Sequence, residues 1–300
     1  MSVDSLHISR VVVGFDGSDH ARTALKLGTE LAARHGTDLL LVCAVEVAFD
    51  PTWTGAFGET AEKALTEAAR SASATLGEGR VSHSVRVGHT SSALLAATRP
   101  GDLLVAGTHG HLPVIGALLG STTSSLITHA HGPVLVARTS TIGTDAPVVV
   151  GIDGSRASEG AVRMAAAEAD LLGVTLRVVA AVPPVTDAAG MVSGPDAATL
   201  QAAEAQLAEA VAGLAQDRPD LVIDRVITQT HPVEALLGAS HQASLLVLGS
   251  RGRGPLKSAL LGSVSRDIAQ RAACSVLVVR PSEHPVPSER QQRHGAMSGS

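Results

Sequence analysis

The sequence predicts an α/β protein: two tandem, open, parallel sheets with helices on both faces. Three observations lead there. Apolar runs such as Val11-Val12-Val13 and Leu103-Leu104-Val105 are continuous rather than alternating, which suits strands covered on both faces. Helix-like stretches separate these runs, as a parallel sheet with crossover helices requires. The pattern also occurs twice, because Val148-Val-Val-Gly151-Ile-Asp153-Gly154-Ser155 repeats Val11-Val-Val-Gly14-Phe-Asp16-Gly17-Ser18.

In chain order, residues 1–9 form a polar lead and a first unit covers 10–140. Its opening strand ends at Asp16-Gly17-Ser18, and a helix follows with Ala21, Ala24, Leu25, Gly28, Leu31 and Ala32 on one stripe, stopped by Gly36. A second buried strand spans 38–45. Pro51, Gly55 and Gly58 mark 48–58, with Trp53, as a loop before a helix over 59–76. A strand near 81–87, a short helix from Ser91, the Leu103 strand, a further helix ending at His131-Gly132 and a last strand over 133–138 complete the unit. Residues 141–146 read as a polar linker. The second unit, 147–281, has strands at 148–152, 174–181, 221–228, 245–248 and 275–280, a Pro/Gly loop over 183–195 and an Ala-rich helix over 197–216. Residues 282–300, rich in Pro, Ser, Gln, Arg and Gly, read as a disordered tail.

Each Leu-rich strand runs into a glycine loop. Gly107-Thr-His109-Gly110 leads after nine residues to Gly120-Ser121, and Gly249-Ser-Arg251-Gly252 leads after nine to Gly262-Ser263. A strand that ends in a glycine loop and re-enters a helix turns backbone N–H groups, and the positive end of the helix dipole, toward one spot. The natural guest there is a phosphate. Ligands of such sheets bind beyond the carboxyl ends of the strands. Asp16 and the Gly107 loop are therefore expected to face one crevice, and Asp153 and the Gly249 loop another. For each aspartate the plainer role is to cap the helix that follows. The copies differ where His109 and His111 stand against Arg251 and Arg253, so phosphate contacts of unequal strength are expected.

On these openings, loops and closing strands the chain resembles tandem universal stress proteins of the ATP-binding branch. The resemblance implies a Rossmann-like sheet of five strands, order 3-2-1-4-5, in each unit, and antiparallel pairing of the two final strands that mimics the family dimer. It also implies one adenine nucleotide site per unit, holding ATP with or without Mg2+. Gly107, Gly110, Gly120, Ser121 and Thr122 match the first phosphate loop, and Gly249, Gly252, Gly262, Ser263 and Val264 the second. The hydroxyls of Thr123 and Ser265 match a further phosphate contact. Asp16 and Asp153 match the acidic residue at the ribose or phosphate side, Gly14 and Gly151 its backbone neighbour, and Ala44 and Ala181 the second-strand backbone that meets adenine.

Composition narrows the function. A net charge of −5 argues against a general nucleic-acid binder, and 1% aromatics leaves no stacking platform for single strands. No basic-then-apolar leader opens the chain and no apolar run reaches about 18 residues, so a cytoplasmic protein without a membrane partner is expected. Cys43 and Cys274 lie in apolar runs and read as core residues. Gly249-x4-Gly254 with Lys257 misses the P-loop pattern, since its lysine is not next to the second glycine. The His109/His111 and His129/His131 pairs lack Cys or Glu partners at metal-binding spacing. No Gly-x-Ser-x-Gly nucleophile turn is visible. A regulatory nucleotide sensor without catalytic groups is therefore favoured, with a homodimer and protein partners left open. A slow ATPase and an interaction module with a structural nucleotide are the alternatives.

Overall fold

The computed structural model describes residues 8–46, 51–110, 119–186, 191–252 and 261–280. The first half runs β1 (Arg10–Gly14), α1 (Asp19–Arg34), β2 (Asp38–Val45), α2 (Pro51–Leu76), β3 (Val81–Val87), α3 (Thr90–Ala97), β4 (Asp102–Gly107), α4 (Ser121–His129) and β5 (Val134–Ala137). The second runs β6 (Val148–Ile152), α5 (Arg156–Leu172), β7 (Leu176–Ala181), the short pair β8 (Val185–Thr186) and β9 (Val192–Ser193), α6 (Ala197–Val211), α7 (Leu214–Asp217), β10 (Ile223–Thr228), α8 (Pro232–Ser240), β11 (Leu245–Gly249), α9 (Ser263–Arg271) and β12 (Ser275–Val279).

The two halves share one ten-stranded sheet, ordered β10-β7-β6-β11-β12-β5-β4-β1-β2-β3. Each half has the 3-2-1-4-5 order. Every neighbouring pair is parallel except β5 and β12, which join antiparallel with Leu135 opposite Leu277. The expected pair of five-stranded sheets is thus a single sheet. Successive residues of a strand point to opposite faces. Val11 and Val13 accordingly enter the core under α1, α2, α5 and α6, and Val12 enters the core under α3, α4, α8 and α9. Both cores run through both halves. That is why the strands read as unbroken apolar runs.

The junction is also tied by side chains. Arg138, just past β5, donates from Nη2 to the Ala269 carbonyl at 2.6 Å, near the end of α9. Arg280, just past β12, donates to the Ile127 and Thr128 carbonyls near the end of α4. Each last strand therefore delivers an arginine to the C-terminal carbonyls of the other half's helix, where the dipole favours a cation. Ser275 Oγ, fully buried, accepts from the Arg138 and Thr139 N–H groups. Behind the sheet, His35 at the end of α1 pairs with the buried Glu168 of α5 at 2.9 Å.

Several expectations need correction. The loop expected over 48–58 is helical from Pro51 onward, a residue suited to a first helical turn. The Ala-rich helix over 197–216 is broken at Ala212-Gly213 into α6 and α7. The Pro/Gly loop over 183–195 contains the antiparallel pair β8–β9. Helix α8, with Pro232 in its first turn, had no counterpart in the sequence reading. Ile142 of the linker is buried in the core, and its N–H donates to Glu30. Residues 282–300 and most of the N-terminal lead lie outside the described residues. Among those described, no helix is long and apolar enough to cross a membrane.

Candidate nucleotide site

Each opening strand ends in the Asp-Gly-Ser turn. Asp16 Oδ1 accepts the Ser18 N–H at 2.9 Å, and Asp153 Oδ1 accepts the Ser155 N–H at 3.0 Å. The glycine between sits at φ 85° in the first turn and 71° in the second, a left-handed conformation in which a side chain would be strained. The helix caps are the serines: Ser18 Oγ accepts from Ala21 N and Ser155 Oγ from Ser158 N, each at 3.2 Å. The plainer expectation, that the aspartates cap the helices, therefore fails. One carboxylate oxygen holds the turn and the other points elsewhere.

It points at the glycine loop. A Cβ on Gly110 would lie 2.8 Å from Asp16 Oδ2, and one on Gly252 would lie 2.4 Å from Asp153 Oδ2. Each aspartate thus faces the second glycine of its own loop, across a gap that a side chain on that glycine would fill. The first loop glycine has a different task. A Cβ on Gly107 would meet the His20 carbonyl carbon and oxygen at 2.7 Å, and one on Gly249 would meet the Ala157 carbonyl carbon at 2.7 Å. Glycine here lets the strand end press against the first turn of α1 or α5. Gly14 and Gly151 make a similar approach, to the Leu94 and Leu236 side chains.

The loop ends are closed by hydrogen bonds from Gly120 N to Thr108 O at 2.7 Å and from Gly262 N to Ser250 O at 2.9 Å. Gly120 and Gly262 are then the N-caps of α4 and α9, and neither helix has a side-chain cap. Helix geometry leaves the N–H groups of Ser121, Thr122 and Thr123, and of Ser263, Val264 and Ser265, without intrahelical acceptors. They form a donor cluster with the helix dipole behind it. The hydroxyls behave otherwise than expected. Thr123 Oγ1 donates to Gly107 O at 2.7 Å and Ser265 Oγ to Gly249 O at 2.6 Å. Both side chains are buried, so what these residues offer an anion is main chain.

Beside Asp16 a cleft of about 360 Å³ opens, lined by Phe15, Asp16, Ala44, Thr60, Ala61 and the neighbours of Ala44 in β2. Cys43, expected in the core, is half-buried on its wall, where burial and the nearby Asp16 charge push its thiol pKa up. Ala181 ends β7 in the position equivalent to Ala44, half-buried. His109 packs its ring on that of His20, with centroids 5.4 Å apart, and His20 Nδ1 is hydrogen-bonded to Thr108 Oγ1 at 3.0 Å. Arg251 is exposed, and its carbonyl accepts from Ser155 Oγ. Arg253, His111 and Lys257 fall outside the described residues. No group of three or more His, Cys, Asp or Glu side chains among the described residues is placed to hold a metal ion.

The model of the universal stress protein family matches residues 7–138 and again 146–280. The chain belongs to the universal stress protein family. It is 32% identical over 296 residues to a universal stress protein of Mycolicibacterium smegmatis, covering 90% of this chain and 97% of that one. It is 33% identical over 287 residues to universal stress protein Rv2623 of Mycobacterium tuberculosis, covering 91% and 96%. A universal stress protein structure from Archaeoglobus fulgidus superposes with a TM-score of 0.72 over 93% of this chain and all of that one, at 17% identity. The ten-stranded sheet is thus a universal stress protein architecture. Reading the sequence alone missed Cys43 and Thr60 on the wall of the first cleft and His20 beside the first glycine loop.

Proposed function

We propose that this universal stress protein is an adenine nucleotide sensor, with one ATP site in each of its two units, 10–140 and 147–281. What carries the reading is the pairing, made twice, of an aspartate oxygen with the second glycine of a loop that leads into an uncapped helix. The triphosphate lies along the N–H groups of 121–123 or 263–265, and the ribose faces Asp16 or Asp153. Adenine enters the cleft along Ala44 in the first unit and the end of β7 at Ala181 in the second. Asp16 and Asp153 are the carboxylates that would hold an Mg2+ bound with the nucleotide, and the ion would offset the phosphate charge. We read the Asp16 and Asp153 carboxylates and the His20 and His109 rings as binding groups, and the bound nucleotide as a signal rather than a substrate.

Isothermal titration with ATP is expected to find two sites per chain, and mass spectrometry to find adenine nucleotide on the purified protein. Gly262→Glu, which puts a bulky anion at the phosphate position, is expected to reduce two sites to one. Gly120→Glu with Gly262→Glu is expected to leave none. An unchanged number of sites in these variants overturns the assignment. Single-turnover phosphate release slower than nucleotide exchange is expected, and faster release makes the protein an ATPase.

A further inference from the structure

A second cavity, of about 290 Å³, lies where the halves meet. It is built from equivalent positions of the two copies. Leu119 and Leu261 each precede a capping glycine. Ile127 of α4 matches Ala269 of α9, Ser124 matches Arg266, and Thr128 matches Gln270. The cavity therefore straddles the local two-fold relation between the halves. Departures from that symmetry give it a chemical direction. Leu119, Leu261, Ile127 and Ala269 form an apolar wall. Ser124 offers a hydroxyl on one side, where Thr128 Oγ1 donates to the Ser124 carbonyl at 2.8 Å, and Arg266 and Gln270 offer a cation and an amide on the other.

No acidic side chain among the described residues lines this cavity. The other two arginines of the junction, Arg138 and Arg280, are already committed to helix carbonyls. Arg266 is exposed at the mouth and has no hydrogen bond or ion pair from its side chain among the described residues. A guanidinium at the rim of a half-apolar chamber selects an anion that carries a hydrocarbon body. At about 290 Å³ the volume falls just below the usual range for small-molecule sites, about 300–1,000 Å³, which limits that body to a short chain.

We propose that the cavity between α4 and α9 binds a small amphipathic carboxylate, its head group on Arg266 and its chain against Leu119, Leu261, Ile127 and Ala269. This site is separate from both glycine-loop sites and does not depend on what occupies them.

Calorimetry on the full chain with hexanoate, hexanol and inorganic phosphate tests it. Hexanoate is expected to bind once per chain, at least about tenfold more tightly than hexanol or phosphate, which matches one charge-assisted contact. Arg266→Gln is expected to remove that tenfold preference while leaving hexanol binding unchanged. Ser124→Leu, which fills the chamber from a half-buried position, is expected to abolish hexanoate binding with Tm and circular dichroism preserved. If Ser124→Leu unfolds the chain, Thr128→Leu replaces it. The proposal is overturned if hexanoate does not bind, if hexanol or phosphate binds as well as hexanoate, if the preference for hexanoate survives Arg266→Gln, or if hexanoate binding survives the filling variant.

Discussion

In the first half His20 stands where the second half has Ala157, and its ring bridges Thr108 and His109 at the mouth of the glycine loop. In the second half that ring is missing. The loop is held instead from beneath, by Ser155 Oγ on the Arg251 carbonyl and by Ser250 N on the Val279 carbonyl at 2.8 Å. Four backbone features are shared between the halves: the aspartate turn, the close approach of the first glycine, the loop closure and the uncapped helix. What decorates the loop is not shared. The difference teaches that the cluster of N–H donors is built into backbone geometry, while the charge set beside it is left to side chains that have diverged.

The largest effect expected is one in which the halves behave alike. Gly107→Ala and Gly249→Ala each force a Cβ against rigid backbone, and overpacking of this kind costs about 1–3 kcal/mol. Both are expected to lower Tm by several degrees and by similar amounts. A drop in only one half breaks the claim that the two strand ends are packed equivalently. Next comes the difference between the loops. One charge-assisted hydrogen bond from the Arg251 guanidinium, about 1.5–3 kcal/mol, makes the second site about tenfold tighter or more for ATP. Histidine gains charge as pH falls toward 6. Titrating Gly120→Glu and Gly262→Glu at pH 8 and pH 6 is expected to show the first site strengthening relative to the second. His20→Ala with His109→Ala is expected to flatten that response, and equal affinities at both pH values sink the idea.

A smaller change separates the two oxygens of each aspartate. Asp16→Asn and Asp153→Asn keep an acceptor for the serine N–H, so Tm is expected to hold. Replacing the oxygen that faces the loop removes one acceptor for a ribose hydroxyl, worth about 0.5–1.5 kcal/mol, or roughly two- to tenfold in affinity. Tighter binding in these variants moves the carboxylate from the ribose to the phosphate. The smallest effect belongs to Cys43. Its raised pKa keeps the thiolate scarce at pH 8, so alkylation is expected to be slow and to keep rising above pH 9. Saturating ATP is expected to slow alkylation several-fold in Gly262→Glu, where only the first site remains, and not in Gly120→Glu.

Much of this was legible in the residues, for identifiable reasons. Strands buried on both faces must be apolar throughout, and Val11–Val13 and Leu245–Leu248 announced themselves that way. Two loops of identical spacing marked the strand ends that press on α1 and α5, because only glycine tolerates the approaches at Gly107 and Gly249. Other features were silent. Proline and glycine at 51, 55 and 58 read as a loop, although the start of α2 accommodates them. Thr123 and Ser265 looked like phosphate ligands. Their buried hydroxyls bond strand carbonyls sixteen residues back, a partner no local pattern reveals. Arg138 and Arg280 looked like plain strand ends, one before the linker and the other before the tail. Their targets lie in the opposite half, at sequence separations of 131 and 153.

The antiparallel seam between β5 and β12 carries a consequence for how such a molecule diversifies. Where two identical subunits meet across a two-fold axis, every substitution appears on both sides, and neither site can change alone. Here the partners are covalently joined, so dilution does not part them, and a short tether holds them at an effective concentration on the order of millimolar. Each copy is then free to accumulate its own residues without losing its neighbour. His20 where the other copy has Ala157, and Ser124 where it has Arg266, are marks of that freedom: inequality written into what would otherwise be a two-fold repeat.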